Sequence, residues 1–161
     1  MSWSDRRSFL LGALALGGCG FTPVYSPGGA AEGLRGRIAF DAPADRAGFD
    51  FVRQLEQRLG LPANPDFRLA ASIRRSEERT AVTSEGVASR FQILGRVDYA
   101  LREIDTGRTV TSGTVSNFVS YSATRTAVAT RAARTDAEAR LSRILADQVA
   151  ADLLATADRW S

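Results

Sequence analysis

The sequence contains no histidine and no lysine, and only one cysteine, Cys19, in 161 residues. Each absence removes a class of chemistry. Without histidine there is no Ser-His-Asp or Cys-His arrangement, and no imidazole to hold zinc or another transition metal. A lone cysteine closes no disulfide within the chain, so core packing has to hold the fold together. No glycine-rich phosphate loop follows a strand. Glu77 and Glu78 are adjacent acids, but neighbours on a strand point to opposite faces, so they read as a solvated hairpin end rather than an acid–base pair. The expectation is a protein that is not an enzyme, with no metal site and no cofactor.

Long apolar runs are also scarce. The longest, Phe9 to Gly18, follows Arg6 and Arg7. A helix needs roughly 20 apolar residues to cross a bilayer, so this run reads as the core of an export signal and not as a membrane span. "DRRSFLL", Asp5 to Leu11, carries part of a twin-arginine signal, which leaves the general secretory and twin-arginine routes both open. The run closes as Leu16-Gly17-Gly18-Cys19, which resembles the bacterial lipobox. That resemblance implies cleavage before Cys19, a diacylglyceryl group on its thiol and an acyl chain on its new amine. Two or more chains anchor firmly, because each buried methylene contributes about 0.8 kcal/mol. Gly20 follows the cysteine where an aspartate would retain the protein at the inner membrane. The expected place is therefore the periplasmic side of the outer membrane. Residues 1–18 form the signal peptide in this reading, 19–33 the lipidated N-terminus and Gly/Pro/Ala-rich tether, and 34–161 a single domain.

All 21 basic residues are arginine, set against 18 acids. Once the leader is removed the excess is too small to argue for a nucleic-acid partner. Patterning supplies the elements. Leu34 to Phe40 alternates as a short strand. Asp45 caps a helix over Arg46 to Leu59, with Phe49, Val52, Leu55 and Leu59 as its stripe and Gly60 as its stop. Pro62 and Pro65 mark a loop. Phe67 to Ile73, then Phe91 to Leu101, alternate at period two, and Arg90, Gln92, Arg96, Asp98 and Arg102 lie on the polar side of the second run. Asp105-Thr106-Gly107 is a hairpin turn. The return strand, Thr109 to Tyr121, turns Val115, Val119 and Tyr121 inward. A long helix follows, from about Thr126 to Ala157, with Ala137, Leu141, Ile144, Leu145, Val149 and Leu153 as its stripe. Thr135 and Glu138 have capping-box spacing, but the good helix formers before them favour one continuous helix. The expected fold class is α+β: a four-stranded sheet with two amphipathic helices packed on one face.

"CGFTPVY", Cys19 to Tyr25, directly after the lipobox, and this order of elements resemble the LptE family of lipopolysaccharide-assembly lipoproteins. The resemblance implies a partner, the LptD outer-membrane β-barrel, which such proteins plug and help to assemble, and a role in placing lipopolysaccharide in the outer leaflet. The nine Ser and Thr residues between Thr109 and Thr126 suit a water-lined barrel wall, and equally suit solvent. Arg74, Arg75 and Arg79 gather where the strand from Phe67 is expected to end, at a hairpin tip. Guanidinium groups grip phosphate and carboxylate in bidentate fashion, so these three are the candidate lipopolysaccharide contacts, beside the plainer reading of a solvated charged loop. An accessory lipoprotein of an ABC-type lipid-transport complex is the alternative function.

Overall fold

The computed structural model describes residues 33–43, 45–82, 88–124 and 126–160. Cys19, the leader and the tether lie outside the described residues. The element order is β1 (Ile38–Phe40), α1 (Arg46–Leu59), β2 (Phe67–Val82), β3 (Ala88–Glu103), β4 (Thr109–Ser122) and α2 (Ala127–Thr156), closed by a 3-10 turn over Ala157–Arg159. The four strands form one mixed sheet in the order β1-β2-β3-β4. β1 runs parallel to β2, with α1 as the crossover, and the other two pairings are antiparallel. The expected α+β architecture is observed.

Local chemistry sets the ends of α1. The Asp45 carboxylate accepts from the Gly48 N–H at 2.7 Å, satisfying one of the amides that a helix start leaves open. Gly60, at φ 87°, donates its N–H to the Glu56 carbonyl at 2.8 Å and ends the helix. Its left-handed backbone requires glycine. Thr126 caps α2 through the Ala129 amide, and that helix runs unbroken past Thr135. Glu138 pairs with Arg134 one turn back at 3.2 Å instead of capping a second helix.

The core lies between the two helices and one face of the sheet. Phe51, Leu55 and Leu59 of α1 and Ala137, Leu141, Leu145, Val149 and Leu153 of α2 meet Leu69, Ile93, Val97, Leu101, Val115 and Val119 from the strands. The helices are tied to each other by Asp147 of α2. It accepts from Arg58 Nε at 2.7 Å and from Gln54 Nε2 at 2.8 Å, both on α1. The hydrogen bonds from Arg58, then that from Gln54, outweigh partial burial and hold the carboxyl below its ordinary range.

Four expectations need correction. β1 is only three residues long, because Leu34 to Arg37 form a turn through the Arg37 N–H and the Leu34 carbonyl, with Gly36 at φ 77°. The inward phenylalanine of α1 is Phe51, while Phe49 is 57% exposed; residues 51, 55 and 59 repeat at one-turn spacing, and 49 falls outside that line. Ile144 stands at the margin of the α2 stripe and not within it. The largest correction concerns β2. It does not end near Ile73 but continues to Val82, so Arg74, Arg75 and Arg79 stand within a paired strand and not at a hairpin tip.

Candidate functional site

The helices cover one face of the sheet, and the other face is the candidate site. Register assigns its members. Arg68 faces Arg102, Ser72 faces Asp98, Arg74 faces Arg96, Ser76 faces Leu94 and Glu78 faces Gln92 across β2 and β3. From β4, Thr114, Ser116, Phe118, Ser120 and Ser122 continue these rows. Small hydroxyl side chains therefore dominate the β4 lane, and the charged side chains lie in the β2 and β3 lanes. Phe118 is 57% exposed and stands in one row with Leu94.

Charge on this face is uneven. The β2 and β3 residues that point here include Arg68, Arg74, Arg90, Arg96 and Arg102, against Glu78 and Asp98. Two of the rows set arginine directly opposite arginine, Arg68 against Arg102 and Arg74 against Arg96, an arrangement that works against strand pairing. Asp98 relieves one of them. It pairs with Arg74, with Arg96 at 3.1 Å, and accepts from the Thr114 hydroxyl at 2.6 Å. The Thr114 hydrogen bond first, then Arg96 and Arg74, keep Asp98 ionised to lower pH than an ordinary aspartate. In the other row Arg68 reaches Asp41 at 3.6 Å, and Arg102 has no ion pair among the described residues.

The three arginines singled out from the sequence do not share a face. Arg74 lies on the open face. Arg75 and Arg79 point to the helix side, as does Phe91, the partner of Arg79. Arg75 is tied to Asp45 at the start of α1; the Gly48 amide first, and Arg75 after it, hold that carboxyl below its usual range. Glu77 and Glu78 also divide. Glu77 turns to the helix side, where it accepts from the Tyr121 hydroxyl at 3.0 Å and pairs with Arg134 at 3.0 Å. The arginines keep one feature in common. β1 pairs only with Phe67 to Leu69, so from Ala70 onward the outer edge of β2 has no neighbouring strand among the described residues. Side chains from both faces of β2 flank that edge.

Sequence reasoning missed Arg68, Arg96 and Arg102 as site members, although the period-two polar side of β3 was visible. What could not be seen was which arginine opposes which, since register is a property of two strands together. Among the described residues there is no group of three or more His, Cys, Asp or Glu that could hold a metal ion. No helix among them is long and apolar enough to cross a membrane.

Solved structures share this fold. A candidate lipoprotein from Caulobacter crescentus superposes with a TM-score of 0.67 at 23% identity, covering 80% of this chain and 96% of that one. Rare lipoprotein B from Shewanella oneidensis gives 0.55 at 15% identity, over 74% and 92% of the two chains. A minor lipoprotein from Acinetobacter baumannii gives 0.55 at 17%, over 74% and 89%. Comparison with curated proteins finds no match. Among protein families, residues 36–153 match LptE, described as lipopolysaccharide-assembly. That match spans every described strand and nearly all of both helices, and so the chain belongs to the LptE lipopolysaccharide-assembly family.

Proposed function

We propose that this protein is lipidated at Cys19, sits on the periplasmic side of the outer membrane, and plugs an LptD-like β-barrel. There it supports assembly of the barrel and helps to pass lipopolysaccharide to the outer leaflet. The family match over residues 36–153 carries the proposal. The form of the molecule supports it: one face of the sheet is sealed by helices, while the other offers hydroxyls and guanidiniums to a water-lined wall. No step in this role requires bond-making by the protein. Its work is binding and placement.

Lipopolysaccharide contact belongs to the same proposal, with its geometry revised. Arg74, Arg75 and Arg79 flank the outer edge of β2 from both faces, so a phosphate or carboxylate lying along that edge comes within reach of guanidiniums on either side. Depletion of the protein from its native cell tests the role. The partner barrel should lose its folded, heat-modifiable form on gels, and lipopolysaccharide should build up short of the surface. A barrel that folds normally after depletion contradicts the proposal.

A further inference from the structure

The opposed arginines on the open face carry more than a general polar surface. An isolated sheet gains nothing from placing Arg68 against Arg102 and Arg74 against Arg96, since like charges directly opposite oppose strand pairing. Asp98 is a single carboxylate shared by Arg74 and Arg96, Arg68 reaches Asp41 at 3.6 Å, and Arg102 has no ion pair among the described residues. The face thus holds five arginines to two acids in its charged lanes. The β4 lane beside them bears the hydroxyls of Ser112, Thr114, Ser116, Ser120 and Ser122. An acidic partner would turn the mutual repulsion into attraction, and hydroxyls hydrogen-bond in either sense.

We infer that the open face of β3 and β4 is a docking surface for a carboxylate-bearing protein wall, with Arg96 and Arg102 as its charged contacts and Phe118 as its apolar anchor. This rests on the proposed function, in which the wall belongs to the partner barrel. Charge complementarity selects the acidic chemistry. The shortage of large apolar side chains on the face selects a protein over a glycolipid. Its side chains are mostly small hydroxyls and arginines, its apolar members are Leu94 and Phe118 with the small Ala70 and Ala100, and acyl chains need a deeper apolar groove. An exposed phenylalanine within a polar, charged surface is the kind of residue that anchors an interface.

The test uses the full lipidated chain, purified from detergent-extracted envelope, beside the double variant Arg96→Ser/Arg102→Ser. The wild type should bring down the barrel, less so as salt is raised. The variant should recover about tenfold less barrel at physiological salt, as expected when desolvated charge contacts are lost. Its melting temperature should change little, because the arginine–arginine repulsion removed at each position offsets the exposed Arg96–Asp98 pair that is lost; this separates lost docking from lost folding. Equal recovery by the variant overturns the inference and leaves the proposed function standing. So does a variant that loses only its capture of lipopolysaccharide micelles, since the occupant is then the glycolipid. A wild type that recovers no barrel overturns both.

Discussion

Tyr99 shows how a single side chain links sheet and helix. It lies on the helix side of β3, is 7% exposed, and its hydroxyl donates to Asp152 Oδ2 of α2 at 3.2 Å. Gly113 on β4 makes room for it, since a Cβ there would fall 2.6 Å from the Tyr99 hydroxyl oxygen. Burial first, and then the Asp152 charge, push the phenol up from 10.0 to about 12. The sign follows from linkage. The fold favours the neutral phenol, so its contribution is complete below the unfolded value near 10 and is lost as pH rises towards 12. An ultraviolet titration should therefore show a phenol ionising near pH 12 that Tyr99→Phe removes, together with a fall in thermal stability above pH 10 that the same substitution reduces; Tyr121, also raised by burial and by its bond to Glu77, supplies the remainder. The carboxylates behave in the opposite sense. Asp45, Asp98, Glu103 and Asp147 are all held below their ordinary range, so what they contribute is present above about pH 4 and fades as acid protonates them.

At the scale of elements, the approach of α2 to the sheet depends on Gly95 in the middle of β3. A Cβ there would lie 2.7 Å from Leu145 Cδ1 and 3.0 Å from Leu141 Cδ2, two side chains that are themselves buried. Gly95→Ala should destabilise the fold by about 1–3 kcal/mol through overpacking, read as a lower urea midpoint; no shift would mean that the helix rides further from the sheet than described. Helices were the legible elements. Asp45 and Gly60 delimit α1 by capping chemistry confined to a few residues, and the continuity of α2 followed from propensity. The stripe of α1 holds at Val52, Leu55 and Leu59 and differs only in its phenylalanine, Phe51 in place of Phe49; the two are equally apolar, and only packing against the sheet distinguishes them. β2 was read short for a deeper reason. Arg74 to Thr80 is polar throughout, and taken alone it resembles a turn. Pairing with β3, from Arg74↔Arg96 to Arg79↔Phe91, makes it a strand, and pairing is a tertiary fact that no local pattern contains.

Across the whole molecule, one face is core and the other is site. The sequence carried the family resemblance at Cys19 to Tyr25, while the family match falls on residues 36–153, so two separate parts of the chain point the same way. The arginines of the site were visible as residues, but their grouping was not: Arg74 parted from Arg75 and Arg79, and Arg96 and Arg102 emerged through register. The account therefore rests on partnership with a barrel. The most direct measurement is affinity purification of the full lipidated protein from detergent-extracted envelope, with size-exclusion chromatography and identification of whatever co-elutes. The account predicts one large outer-membrane β-barrel protein in a stable complex with this chain. Recovery of inner-membrane transport components instead, or of the chain alone, would contradict it.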